Sequence, residues 1–205
     1  MFVALDLPEA ARSALADWRD ALVAGRSDLR PVAPEALHVT LVFLGWQDEA
    51  AADAIAEAAF GAAASPGASP SAAASPSAAA SPGAAASAGA SPAPILRATG
   101  VRPLPPRDPR LFALDLDDLE GRATALQGRV SDALEAGRWY RPEKRPFWPH
   151  ITLARVKRNA RRVPPLPEAP GPPADHFPAA ALTLYRSTLR PQGALYDPLA
   201  RLELA

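Results

Sequence analysis

The sequence predicts an α+β protein with largely antiparallel sheets, and three observations carry that expectation. Short apolar strands, FVALDL at 2–7, LFALDL at 111–116 and ALTLYRSTL at 181–189, alternate with segments whose bulky apolar residues recur at helical spacing. Joins such as RPQG at 190–193 are short enough for hairpins rather than crossovers. Finally, a strand, a helix, a proline-bearing approach and a His-x-Thr strand occur twice in the same order. The first tetrad, His38-Val39-Thr40-Leu41, follows Asp6 by 32 residues; the second, His150-Ile151-Thr152-Leu153, follows Asp115 by 35. Two such units predict two lobes meeting face to face, with a cleft between them.

In chain order, FVALDL reads as a buried strand, and Pro8 suits the first turn of a helix carrying Ala11, Leu15, Trp18 and Leu22 on one face. Gly25 is its stop signal. An extended segment with Pro31 and Pro34 leads into the first tetrad, within LHVTLVFLG. Asp48 is positioned to cap a helix through DEAAADAIAEAAF, anchored by Ile55 and Phe60. Between about 62 and 94 the composition becomes Ala, Ser, Pro and Gly, with a period of six in AAASPS, AAASPG and AAASAG. A repeat this short, without bulky apolar residues, cannot build a solenoid core, and it buries too little surface to offset its ordering entropy. It reads as a disordered insertion in a single domain spanning 1–205. The remaining chain of about 170 residues is enough to bury roughly 70% of its unfolded surface.

Order resumes with a strand at ILRATGVRPLP, then LFALDL, then a helix with Leu119, Leu126, Val130 and Leu134 on one face and Gly137 at its end. After the second tetrad come a basic turn, the proline-rich PPLPEAPGPP, and two further strands at 181–189 and 195–204.

Composition narrows the chemistry. No cysteine occurs among the 205 residues, which removes disulfides, thiolate metal sites and cysteine nucleophiles and suits a reducing cytoplasm. MFVALDLPEAAR has no basic region followed by a long apolar run, and no window approaches the length of a membrane span. Net charge is zero, yet Arg138, Arg141, Lys144, Arg145, Arg155, Lys157, Arg158, Arg161 and Arg162 face one acid, Glu143, around the second tetrad. Such a local excess suits an anionic partner as well as a solvated loop.

In a strand, side chains two apart share a face, so each tetrad presents one imidazole beside one hydroxyl. Alternation sends Val39, Leu41 and Phe43, and likewise Ile151 and Leu153, to the core side. A single His-x-Thr is commonly structural; a matched pair after matched strand–helix units is not. Two imidazoles across a cleft form a general acid–base pair suited to displacement at phosphorus, with the hydroxyls and nearby arginines on the non-bridging oxygens. A metal site from His38, His150 and His176 is the rival reading, but no carboxylate or cysteine cluster stands near the tetrads to complete it. Trp139, Tyr140, Phe147 and Trp148, interleaved with Arg141, Lys144 and Arg145, read as core or lip residues or as a base-stacking platform.

RPVAPEALHVTLVFLG at 30–45, RPFWPHITLARV at 145–156 and STLRPQGALY at 187–196 together resemble the two-histidine (2H) phosphoesterases. Within them the resemblance is to the bacterial and archaeal RNA 2',3'-cyclic phosphodiesterases of the 2'-5' RNA ligase family. It spans the chain apart from the insertion. It implies a bilobal, pseudo-twofold fold, two largely antiparallel sheets flanking a central cleft with helices outside. It also implies hydrolysis of RNA 2',3'-cyclic phosphate ends to 2'-phosphates without metal or cofactor, in a cytoplasmic monomer needing neither membrane nor protein partner. By position, His38 is then the proton donor to the 3' oxygen, His150 the proton acceptor activating water, and Thr40 and Thr152 the phosphate ligands. Arg155 is a candidate substrate contact, although strict alternation places it on the core face and only a bulge would bring it to the cleft. A small substrate such as ADP-ribose 1'',2''-cyclic phosphate, or RNA-end binding without turnover, remains open.

Overall fold

The structure, a computed structural model, describes residues 1–65, 92–160, 163–167, 171–173, 175–190 and 193–204. Most of the expected insertion lies outside these residues, but its edges do not. Residues 62–64 complete a helix in which Ala63 is buried, and Ala93 is buried on the far side. Alanine is the strongest helix former, so composition alone could not separate the helix end from the alanine-rich segment after it.

Nine strands and three helices are present among the described residues: β1 (Phe2–Asp6), α1 (Glu9–Leu22), β2 (Leu29–Pro31), β3 (His38–Phe43), α2 (Ala52–Ala64), β4 (Ile95–Leu104), β5 (Leu111–Leu119), α3 (Arg122–Ala136), β6 (His150–Val156), β7 (Phe177–Pro178), β8 (Ala181–Arg190) and β9 (Gly193–Glu203). They form two antiparallel sheets, ordered β3-β1-β8-β9 and β2-β6-β5-β4-β7. Each tetrad strand pairs with the strand that opens its own duplicated unit, β3 with β1 and β6 with β5. The α+β, two-sheet architecture expected from the sequence is the one observed.

Helix α1 buries Leu15, Ala16, Arg19 and Leu22, and Gly25 ends the following turn at φ +74°, a backbone conformation glycine adopts without strain. Arg19 is almost fully buried, donating to the Val32 carbonyl and pairing with Asp20 at 2.7 Å. Asp48 accepts from the Ala50 amide at 3.0 Å, capping a 3-10 turn that runs into α2, as its sequence position predicts. Leu119 differs from expectation: it ends β5 rather than beginning a helix. Glu120 and Gly121 turn there with positive φ, and the Asp118 carboxylate accepts from the Ala123 amide (3.0 Å) and the Thr124 amide (2.8 Å) at the start of α3.

A single apolar core joins both sheets to the helices, through Val39 and Leu41 of β3, Ile151 and Leu153 of β6, Leu182 and Leu184 of β8, Ile55 of α2 and Val130 of α3. Ile151 and Leu153 are fully buried, each stabilising the fold by about 1.5–3 kcal/mol. That anchorage fixes the opposite faces of β3 and β6, which lie against each other across the two sheets.

Candidate active site

The duplication seen in the sequence is a duplication in register. Asp6 of β1 stands opposite His38, and Asp115 of β5 stands opposite His150. Both pairings then slip by one residue at the same place. Val3 pairs with Val42 but Ala4 with Thr40, leaving Leu41 as the extra residue; Phe112 pairs with Ala154 but Ala113 with Thr152, leaving Leu153 extra. Each tetrad therefore ends in a β-bulge, which resets the alternation. Leu41 and Val42 are buried consecutively, as are Leu153 and Ala154.

The bulges have opposite consequences for two expectations. Phe43, expected in the core, is 61% exposed and lines the cleft, because the bulge returns the fifth residue after the histidine to the open face. Arg155, its equivalent after His150, reaches the same cleft for the same reason. His38, Thr40, His150, Thr152 and Arg155 thus border one cleft of about 1250 Å³. Val39, Leu41, Ile151 and Leu153, the intervening tetrad residues, are all buried beneath it. His176 is exposed and does not border the cleft, so the three histidines do not converge. No cluster of three or more His, Asp or Glu suited to a metal occurs among the described residues.

The two imidazoles are held alike. His38 Nδ1–H donates to the Ala36 carbonyl and His150 Nδ1–H to the Trp148 carbonyl, both at 2.8 Å and both two residues upstream. A carbonyl only accepts, so these contacts place the proton on Nδ1 and leave Nε2 as the atom that can exchange one. Thr40 Oγ1 lies 3.0 Å from His38 Nε2 and donates to it when the ring is neutral.

Their surroundings differ. His38 stacks on Phe2 at 5.0 Å and meets the edge of Tyr196 at 5.2 Å. Burial pushes its pKa below the ordinary imidazole value; the Ala36 contact and the Asp6 charge oppose that, while His150 and Arg155 add to it. Asp6, nearly fully buried, accepts from Thr183 (2.9 Å), Tyr185 (2.7 Å) and Arg201 (2.6 Å). Burial, then the bond to Asp6, holds the Tyr185 hydroxyl well above the usual phenol range, so it remains a donor. His150 instead lies flat on Trp148, with ring centroids 4.0 Å apart and planes 11° from parallel. Trp148 donates from Nε1 to Asp115 at 3.1 Å, and Arg102 covers its ring at 5.0 Å while pairing with Asp115 at 2.7 Å.

Of the basic run at 138–162, Arg155 and Arg158 border the cleft, and Arg145 borders a side arm of about 380 Å³ formed with Tyr140, Phe147 and Trp148. Arg161 and Arg162 lie outside the described residues. The other arginines of the cleft, Arg30, Arg110 and Arg186, were not among the expected site residues, although Arg30 opens the segment at 30–45 that carries the first tetrad. Pairing of β2 with β6, which sets Arg30 opposite Arg155, is what brings the first of them in.

A family model described as the 2'-5' RNA ligase superfamily matches residues 7–190. The chain belongs to that superfamily. The chain is similar to an RNA 2',3'-cyclic phosphodiesterase of Thermus thermophilus, 31% identical over 216 residues, an alignment covering all of this chain and 89% of the relative. The crystal structure of TT0787 from the same organism superposes with a TM-score of 0.66 at 29% identity, covering 99% of this chain and 96% of that one. E. coli LigT complexed with 3'-AMP gives the same TM-score and coverage at 23% identity, a likeness of fold. No helix among the described residues is long and apolar enough to cross a membrane.

Proposed function

We propose that the protein hydrolyses 2',3'-cyclic phosphate ends of RNA to 2'-phosphate ends. The observation that carries this reading is the pair of imidazoles on equivalent strands of one cleft, each fixed through Nδ1 and each with a threonine hydroxyl two residues on. The phosphodiesterase name of the Thermus thermophilus relative supports the same reaction class.

In this reading His150 Nε2 takes a proton from water as its oxygen bonds to phosphorus. His38 Nε2–H gives a proton to the 3' oxygen as the P–O3' bond breaks, leaving a 3'-hydroxyl and a 2'-phosphate. Thr40 and Thr152 donate to the non-bridging oxygens, and Arg155 faces the charge that accumulates on them. No step is assigned to a metal. His38 must be protonated to act, which its burial opposes; the anionic phosphate supplies the opposing charge on binding.

The test is hydrolysis of an oligonucleotide ending in a 2',3'-cyclic phosphate, in EDTA, with the product end assigned as 2'- or 3'-phosphate. The expected product is the 2'-phosphate, and His38→Ala and His150→Ala are each expected to lower kcat/KM by about 10²–10⁴-fold. Activity that survives both substitutions, or that EDTA abolishes, contradicts the mechanism.

A further inference from the structure

The pseudo-twofold relation between the tetrads breaks at one pair of equivalent residues. Phe43 and Arg155 each stand five residues after a histidine, and each is turned into the cleft by the bulge before it. Each belongs to a wall of its own kind. On the Arg155 side, Arg30 stands directly opposite it in register and Arg158 lies just beyond the end of β6. Arg110 adjoins Leu111, which pairs with Arg155 on its other side. Guanidinium groups set opposite each other on neighbouring strands concentrate positive charge, which suits an anionic partner. Arg155 and Arg158 have no carboxylate within ion-pair distance among the described residues, and Arg110 meets only exposed Asp108 at 3.5 Å.

The opposite wall sets large apolar side chains among polar ones, with Arg186 paired to Glu49 at 2.7 Å. Phe43 is followed by Trp46, 88% exposed, and Leu189 on β8 is 87% exposed; all three border the same cleft. Three large apolar side chains this open around one cleft are the kind of feature that marks a contact site. The cleft itself, at about 1250 Å³, exceeds the roughly 300–1,000 Å³ that encloses a small-molecule ligand.

A cationic wall facing an aromatic one is the chemistry that holds single-stranded nucleic acid, with phosphates on one side and stacked bases on the other. We infer that the cleft takes single-stranded RNA of at least two nucleotides. The terminal base lies against Phe43, and the preceding base stacks on Trp46 beside Leu189. The linking phosphates face Arg110 and Arg158. This rests on the hydrolytic reading above for the cyclic end, and it adds that a lone cyclic nucleotide fills only part of the site.

The experiment compares kcat/KM for a mononucleoside 2',3'-cyclic phosphate with di- and tetranucleotides carrying the same end. A gain of about tenfold is expected on lengthening, from stacking of the added base. In Trp46→Ala the ratio of tetranucleotide to mononucleotide rates is expected to fall towards one; the indole is so exposed that the fold does not depend on it. In Arg158→Gln the slope of log(kcat/KM) against log[salt] on the tetranucleotide is expected to flatten by about 0.7, as one fewer phosphate is neutralised. Binding of a 5'-fluorescein tetranucleotide ending in a 2'-phosphate, followed by anisotropy, reads the same surface without turnover, and Trp46→Ala is expected to weaken it about tenfold. Hydrolysis with equal rates along the ladder, or an unchanged ratio in Trp46→Ala, overturns the inference while sparing the hydrolytic reading. Trp46-dependent binding without hydrolysis of any member sinks the reaction and upholds the surface.

Discussion

His38 and His150 are the same ring in two differently built surroundings. Each has its Nδ1 tied to a carbonyl, so Nε2 is the ring atom left to exchange a proton in both. His38 is packed among Phe2, Tyr185 and Tyr196, and burial favours its neutral form; His150 is laid on an indole held by Asp115. The donor and acceptor roles can be separated with a leaving group that needs no proton. With 3'-deoxyadenosine 2'-(4-nitrophenyl phosphate), departure of nitrophenolate makes a general acid unnecessary. His38→Ala is therefore expected to recover most of its about 10²–10⁴-fold loss on this substrate, measured by nitrophenolate release, whereas His150→Ala is not. Rescue of His150→Ala instead would reverse the two roles. At this scale the sequence was informative where identical spacing repeated a reactive pair, and silent where partners come from afar. Asp6 was visible as part of FVALDL, but Thr183, Tyr185 and Arg201, which bond to it, lie far along the chain and share no motif with it.

Strand by strand, the alternation of apolar residues placed His38, Thr40, His150 and Thr152 on one face and the four residues between and after them in the core. It failed one step later. A period of two has no means of announcing a bulge, so Phe43 was assigned to the core, and Arg155 could not be assigned to the cleft, although the same irregularity moves both. The approach to β6 carries a second device of this kind. Trp148 supplies the carbonyl that fixes His150 Nδ1, stacks on its ring, and is itself pinned by Asp115 with Arg102 over the other face. Trp148 is thus a positioning residue, and its loss should disturb the transition state more than substrate binding. Trp148→Phe keeps a flat ring but removes the bond to Asp115, and kcat is expected to fall about three- to tenfold with KM nearly unchanged. Trp148→Ala is expected to cost more, so partial rescue by phenylalanine separates positioning from bulk. A rise in KM with kcat intact would show that the indole contacts substrate instead.

On the scale of the molecule, the two sheets, the core and the cleft are built from segments on either side of residues 66–91, and the superfamily match runs across that interval. Neither flank borders the histidine cleft. Ala63, one residue short of the end of α2, and Pro92, just before β4, both border one small pocket of about 80 Å³, together with Leu126 and Arg129 of α3, and neither borders the cleft. The chain therefore leaves and re-enters the fold at nearby points away from the histidines. We propose that residues 66–91 are dispensable for catalysis. Replacing them with about six glycine and serine residues, a linker whose root-mean-square span is about 14 Å, closes the gap without recruiting core residues. A flexible loop of about six residues costs about 1 kcal/mol less closure entropy than a flexible loop of about 26, a difference that corresponds to roughly 2–4 °C in Tm for a domain of this size. The expected result is kcat/KM within about twofold of the full chain on the cyclic-phosphate oligonucleotide, with Tm equal or higher in a thermal melt. A variant that melts normally yet loses more than tenfold in kcat/KM would place the segment in contact with the substrate. A fall in Tm of several degrees would instead make it part of the packed body.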